Sequence, residues 1–173
     1  MIDGIRPFNK NDWEEVKAIY LQTNDANSAT FGIDGPEFDA WDEHFLPCCR
    51  LVYESEGKVL GWAAISPISG RLIYKGVAEL SIYIDQDSRG RGIGTNLLKR
   101  MIWESESHGI WSLQSSIRDD NTASIALHRK CGFREIGYRE RVSRDAVGEW
   151  RNTILMERRS GAEPFAESAN GIL

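Results

Sequence analysis

The sequence predicts an α/β fold built on one mixed sheet with helices on both faces, and three observations carry that prediction. Residues 77–84, Val-Ala-Glu-Leu-Ser-Ile-Tyr-Ile, alternate strictly: Ala78, Leu80, Ile82 and Ile84 face one way, Glu79, Ser81 and Tyr83 the other. That period of two belongs to a half-buried strand. Leu97, Leu98, Met101 and Ile102 recur at the helical period. Strand-like segments dominate the early and late parts of the chain with helices between them, the arrangement of a sheet covered on both sides.

Taken in order, a short strand is expected at Ile5–Pro7, after which Asn11 or Asp12 caps a helix carrying Trp13, Val16, Ile19 and Tyr20 on one side and ending near Asn24. Residues 25–36 are rich in turn formers and predict an exposed loop bordering a pocket, followed by a helix with Phe38, Trp41 and Phe45 on one side. Residues 50–54 and 59–67 form a predicted hairpin about the turn at 55–58, and Pro67 ends its second strand. Beyond the strand at 77–84, Gly90, Gly92 and Gly94 stand in a turn that runs into the Leu97 helix. Residues 111–117 predict a strand, and residues 121–130 a helix capped by Asn121 and closed by Gly132 at its C′ position. Arg134–Arg141 and Glu149–Glu157 are expected as two last strands joined by 142–148. A single domain is expected over residues 1–160, with a frayed tail at 161–173.

Composition excludes several classes of function. A chain of 173 residues buries roughly 70% of its unfolded surface without help from metals or disulfides. No apolar run approaches the ~18 residues needed to span a bilayer, so no membrane partner is expected. The N-terminus lacks the basic start and apolar block of a secretory signal, and three cysteines, two of them the neighbours Cys48 and Cys49, make a poor disulfide framework. A cytosolic protein with free thiols is expected. A formal charge of −5 argues against a general nucleic-acid binder.

The glycine turn carries the chemistry. A strand entering a Gly-rich turn and then a helix bares backbone N–H groups at the positive end of the helix dipole, a site for phosphate or diphosphate. Arg89 and Arg91 would add charge-assisted bonds; the alternative is a merely tight turn with solvated arginines. A Walker loop requires Lys and then Ser/Thr, whereas Thr95 and Asn96 follow Gly94, and the third glycine comes one residue early for a dinucleotide fingerprint. The acidic strand end that such a fingerprint needs ~20 residues on is missing.

Arg89-Gly-Arg-Gly-Ile-Gly94 resembles the (Q/R)xxGxG/A signature of the GNAT superfamily of acetyl-CoA-dependent N-acetyltransferases, and residues 77–84 and 121–133 resemble its flanking segments. Ala29-Thr30-Phe31, residues 70–84, Gly148-Glu149-Trp150 and residues 155–160 resemble the phosphinothricin acetyltransferase-like branch, so the resemblance covers Ile5 to Ser160. It implies a mostly antiparallel sheet splayed between its fourth and fifth strands, with acetyl-CoA in the opening, acetylation of the amino group of a small amino-acid-like molecule, and a homodimer.

By the same resemblance Ile82, Tyr83 and Ile84 meet the pantetheine arm, while Arg89, Gly90, Arg91, Gly92, Ile93, Gly94 and Thr95 hold the diphosphate. Asn121, primarily a helix cap, and Ser124 also meet the arm. An attacking amine must be unprotonated, yet α-amino groups titrate near ~8, so a base is needed. Glu79 fills that place, with a carboxyl raised by burial; its alternative is a strand glutamate paired with Lys75 or Arg71. His128 stands where many relatives carry a tyrosine as general acid, its alternative being a packed helix residue. Arg71 and Tyr74 match the acceptor side, with Phe31 and Trp150 as walls, or Trp150 as a core residue. Ala146, Val147 and Asn152 depart from the branch's pattern and leave Arg144 as another cation for the acceptor. Two further readings stay open: acetylation of a protein N-terminus or lysine, and a non-catalytic acyl-CoA-binding module.

Overall fold

The computed structural model describes residues 4–22, 35–145 and 147–162. It opens with β1 (Ile5–Pro7) and α1 (Trp13–Leu21). Asp12 stands at the N-cap position of α1 but makes no capping bond with its side chain; Asn9 caps the 3-10 turn Lys10–Asp12 that leads into α1, its side chain accepting the Asn11 N–H at 3.0 Å while the Asp12 carboxylate accepts the Asn9 N–H at 2.7 Å. This reciprocal box satisfies two otherwise orphaned donors. Asp12 is also held by two Arg6 bonds of 2.8 Å, which keep its carboxyl below its ordinary range. The helix ends at Leu21, and Asn24 lies outside the described residues.

α2 (Phe38–His44) is followed by the predicted hairpin, β2 (Leu51–Ser55) and β3 (Lys58–Pro67). Arg50, expected in β2, is excluded from it because its guanidinium caps the end of α2 instead. Then come β4 (Val77–Ile84), α3 (Ile93–Ser107), β5 (Ser112–Arg118) and α4 (Thr122–Lys130). Asn121 caps α4 by accepting the Ser124 N–H at 3.1 Å. Gly132, at φ 87°, closes it in a Schellman arrangement, with Gly132 N–H on Arg129 O at 3.1 Å and Phe133 N–H on His128 O at 3.0 Å. The last hairpin is longer than predicted: β6 (Arg134–Arg144) and β7 (Trp150–Arg159) leave a connection of residues 145–149. Asp145 tightens it, accepting the N–H groups of Val147 at 3.1 Å and Glu149 at 2.9 Å.

The seven strands lie in the order β1-β2-β3-β4-β5-β7-β6. Every pairing is antiparallel except β4 with β5, which run parallel. That ladder joins Val77 to Ser112, Ala78 to Leu113 and Glu79 to Gln114, and then stops. The expected splay is therefore present. On one face Ala78, Leu80, Leu97, Leu98, Met101, Leu113, Ile125 and Met156 form a core beneath α3 and α4. On the other, Trp13, Val16, Ile19, Tyr20, Trp41 and Phe45 pack over Val52, Trp62 and Ala64.

The closed end of the splay is anchored at Gly76, whose carbonyl accepts the N–H groups of Trp111 at 2.8 Å and Ser112 at 3.1 Å. A Cβ at Gly76 would stand 1.9 Å from the Trp111 ring. Gly76→Ala is therefore expected to lower the unfolding free energy by about 1–3 kcal/mol through overpacking, read as an earlier denaturant midpoint; an unchanged midpoint would show that Trp111 yields freely.

Candidate active site

Between the diverging strands lies a cleft of about 870 Å³. Ile82, Tyr83 and Ile84 form its β4 wall, and Asn121, Ser124 and Leu127 its α4 wall. Arg89, Gly90, Gly92, Ile93, Gly94 and Thr95 line the end where α3 begins. Of the residues expected there, Arg91 alone is absent from the lining; its side chain is exposed.

The three glycines serve two needs. Gly90 and Gly92 adopt φ of 75° and 81°, the left-handed region that side chains resist, and a Cβ at either would meet nothing within 4 Å. Gly92 is also the N-cap of α3 and makes no side-chain capping bond. The first-turn N–H groups lack intrahelical acceptors and open toward the cleft at the positive end of a 15-residue helix. Gly94 packs closely on α4: a Cβ there would stand 3.0 Å from the end of the Leu127 side chain, which would have to shift to admit it.

Other lining residues escape the sequence pattern. Gln22, from the end of α1, donates to Asp85 Oδ2 at 2.9 Å and accepts the Gln86 N–H at 2.9 Å, fixing the exit from β4. The Gln22 bond is the main reason the Asp85 carboxyl lies below its ordinary range. Arg118 is paired with Asp120 through Nε to Oδ1 at 3.0 Å, and Lys130 adds a cation at the end of α4. The Arg118–Asp120 pair adjoins the cap Asn121 in sequence, so it was legible as a neighbour of a predicted site residue. Gln22 lies 63 residues from Asp85, and no local signal links them.

Glu79 occupies the last paired position of the β4–β5 ladder, opposite Ser66 of β3 and Gln114 of β5. The expected burial is corrected: the side chain is exposed, on the face carrying Tyr83 and Trp62 rather than α3. Among the described residues neither Lys75 nor Arg71 forms an ion pair with it. His128 stands one layer behind the cleft wall, with 1% of its surface exposed. Its Nδ1–H donates to the Ser124 carbonyl at 2.8 Å, and its Nε2 accepts the Ser115 hydroxyl at 3.0 Å. Burial pushes the imidazole below its ordinary value, and the Ser124 bond only partly opposes this. Ser115 also lies 3.3 Å from the carbonyl of Leu80, the first β4 residue beyond the ladder.

On the acceptor side, Arg71 and Tyr74 are exposed at the turn ahead of β4, the guanidinium 5.8 Å from the tyrosine ring centre. Trp150 is 49% exposed beneath the Arg144 guanidinium at 4.1 Å, which excludes its reading as a core residue. None of these three residues lines the cleft, while Phe31 and Ala146 lie outside the described residues. Asn152 is structural: its Nδ2 donates to Asp119 at 3.0 Å and its Oδ1 accepts the Arg141 N–H at 2.9 Å. A carboxylate at that position would repel Asp119.

Comparison with known proteins agrees with this geometry. Residues 13–133 match the acetyltransferase (GNAT) family. The chain is 39% identical to phosphinothricin N-acetyltransferase of Alcaligenes faecalis over 165 residues, covering 89% of this chain and 81% of that one. It is 33% identical to an L-methionine sulfoximine/L-methionine sulfone acetyltransferase of Pseudomonas paraeruginosa, covering 69% of each. Among solved structures, a GNAT superfamily phosphinothricin acetyltransferase from Sinorhizobium meliloti in complex with AcCoA superposes with a TM-score of 0.79 at 25% identity, over 92% of this chain and 95% of that one.

The His128 environment has a measurable consequence. A histidine whose folded value lies below its ordinary 6.5 binds fewer protons folded than unfolded, so its contribution is complete above that pH and declines as pH falls below it. Denaturation of the wild type at about pH 8 and about pH 5.5 should therefore show lower stability in acid. His128→Phe should lose less between the two; an equal loss in both proteins would remove His128 as a source of the acid sensitivity.

Proposed function

Because the chain belongs to the GNAT acetyltransferase family, we propose that it transfers the acetyl group of acetyl-CoA to the amino group of a small amino-acid-like acceptor. The observation carrying this reading is the juxtaposition at the splay: a cleft whose far end is lined by the bare first turn of α3, and a carboxylate, Glu79, at the vertex where the ladder stops. The open space at Gly90 and Gly92 fits a diphosphate against the main chain. Acetyl-CoA supplies the acyl group in activated form, as a thioester.

In this proposal the amides from Gly90 to Thr95 hold the diphosphate, with Arg89 and the overlooked Lys130 adding charge. The exposed edge of β4 at Ile82–Ile84 aligns the pantetheine arm, Asn121 and Ser124 flank it, and Glu79 accepts the proton that the acceptor amine must lose. His128 holds Ser115 beside the vertex: a buried neutral imidazole with both nitrogens engaged is built for orientation. Arg71 and Tyr74 meet the acceptor's acidic group, with Phe31 and Trp150 as walls.

The proposal extends to a homodimer in the cytosol. Support for the first is β6, an 11-residue edge strand that leaves Ile136 and Tyr138 exposed. Support for the second is the set of free thiols at Cys48, Cys49 and Cys131.

Thiol release from acetyl-CoA, followed with free L-amino acids, methionine sulfone, methionine sulfoximine, phosphinothricin and a short peptide, tests the reading. The free amino-acid-like amines should react and the peptide should not; the reverse would favour a protein acetyltransferase. Glu79→Gln should lower kcat by about 10²-fold or more while leaving coenzyme A affinity unchanged; wild-type turnover would remove Glu79 from the mechanism. Gly92→Val, which places a β-branched residue at φ 81°, should weaken coenzyme A binding by at least about tenfold in calorimetry. Were the wild type to show neither heat nor thermal protection with coenzyme A, the proposal would fail.

A further inference from the structure

The face of the sheet that carries Glu79 is covered by α2, and the end of that helix is clamped by Arg50. Arg50 donates to three carbonyls of the turn: to Leu46 at 2.6 Å, Phe45 at 2.5 Å and Asp42 at 2.7 Å; it also pairs with the Asp42 carboxylate. The same guanidinium lies 5.1 Å from the Trp41 ring centre. These bonds satisfy the carbonyls that a helix C-terminus leaves without partners and immobilise residues 42–46. His44 is the last residue of the helix inside that clamp, its ring set edge-on against Phe45 at 4.7 Å.

The register of the sheet brings the end of α2 beside the β3–β4 pair that holds Glu79. Phe45 packs against Trp62 of β3, with ring centres 5.9 Å apart. Leu46 N–H donates to the Ile65 carbonyl at 2.9 Å, so the chain leaving α2 crosses β3 at Ile65. Ser66, the next residue, pairs directly with Glu79. Strand alternation puts Glu79 on the α2 side with Tyr83, which packs against the cluster containing Phe45 and Trp62.

From this juxtaposition we infer that His44 is a proton-handling partner of Glu79, acting through the carboxylate rather than on the acceptor. The inference rests on the reading of Glu79 as base. The acceptor nitrogen forms its bond to the acetyl carbon as the carbon–sulfur bond breaks, and its proton passes to the Glu79 carboxylate. His44 takes that proton on a ring nitrogen, restoring the carboxylate, and passes it to water; the sulfur leaves with its electron pair and is protonated from solvent. Half-burial lowers the His44 titration, which favours the neutral, accepting imidazole near pH 7, while the Glu79 charge opposes that shift. Of the other charges near the turn, Asp42 is paired with Arg50, and Glu43 lies exposed beside it.

Two measurements test the assignment. In NMR titration of the ligand-free protein, Glu79→Gln should lower the His44 pKa by removing the neighbouring negative charge; an unchanged value would show that the two groups do not face each other and would overturn the inference. In turnover, His44→Gln should reduce kcat about tenfold or more with KM for acetyl-CoA unchanged, and should shift the acidic limb of the kcat profile. Added imidazole should restore part of the rate of His44→Gly. Wild-type kcat in His44→Gln, alongside a disabled Glu79→Gln, would overturn the relay and leave Glu79 as base. Wild-type kcat in Glu79→Gln would overturn the base assignment itself. Should the His44 variants unfold, the titration in Glu79→Gln still decides whether the pair exists.

Discussion

Three residue pairs, Val77–Ser112, Ala78–Leu113 and Glu79–Gln114, join β4 to β5, and the rest of the molecule is arranged around the point where that ladder stops. A parallel pair needs a crossover, and here the crossover is α3, whose N-terminus therefore comes to lie at the open end of the two strands. The opening and the helix dipole that faces it are thus consequences of one connection. Gly76 allows the closed end to seal against Trp111, and past the last pair the Ser115 hydroxyl approaches the Leu80 carbonyl.

The two faces of the sheet differ in character. The sheet's α3 and α4 side supplies bare amides, together with the Asn121 cap and the Ser124–His128–Ser115 series, whose last two members are buried and which hydrogen bonds hold in place. Its α1 and α2 side is aromatic, with Trp41, Phe45, Trp62 and Tyr83 in successive ring contacts, Trp62 stacked on Tyr83 at 4.7 Å. Glu79 lies on this second side of the strand that lines the cleft, so its carboxylate stands where the two faces meet the end of the ladder. Polar ties fix the ends of elements here: Arg50 holds the carbonyls at the end of α2 locally, and Gln22 reaches across 63 residues to Asp85 at the β4 exit.

Much of this was legible in the sequence because it is local. The alternation of residues 77–84 specified which side chains of β4 face α3; the helical stripe placed Leu97, Leu98 and Met101 in the core; and Asn121 and Gly132 bounded α4. The glycine turn could be recognised because positive φ at Gly90 and Gly92 is a property of those residues themselves. Boundaries were less legible where a polar side chain was claimed by a specific hydrogen-bond partner, which hydrophobic periodicity does not register. Asp12 was taken for a cap, but Arg6 and the Asn9 N–H claim its carboxylate; Arg50 was counted in a strand, but the α2 carbonyls withdraw it. The last hairpin was drawn too short because Val142, Ser143 and Arg144 lack strand alternation, yet a bulge at Arg141 carries β6 past them.

By itself, then, the amino-acid order determined the class of fold, the glycine turn ahead of α3 and the strand that bears the carboxylate, since each depends on spacings of two to four residues along one element. Tertiary structure alone decided that Glu79 is exposed, that His128 is buried behind the cleft with Ser115, and that Gln22 reaches the cleft at all. The physical reason is register: which groups meet across a sheet or from a helix end depends on how strands pair over tens of residues, and no local periodicity records that pairing.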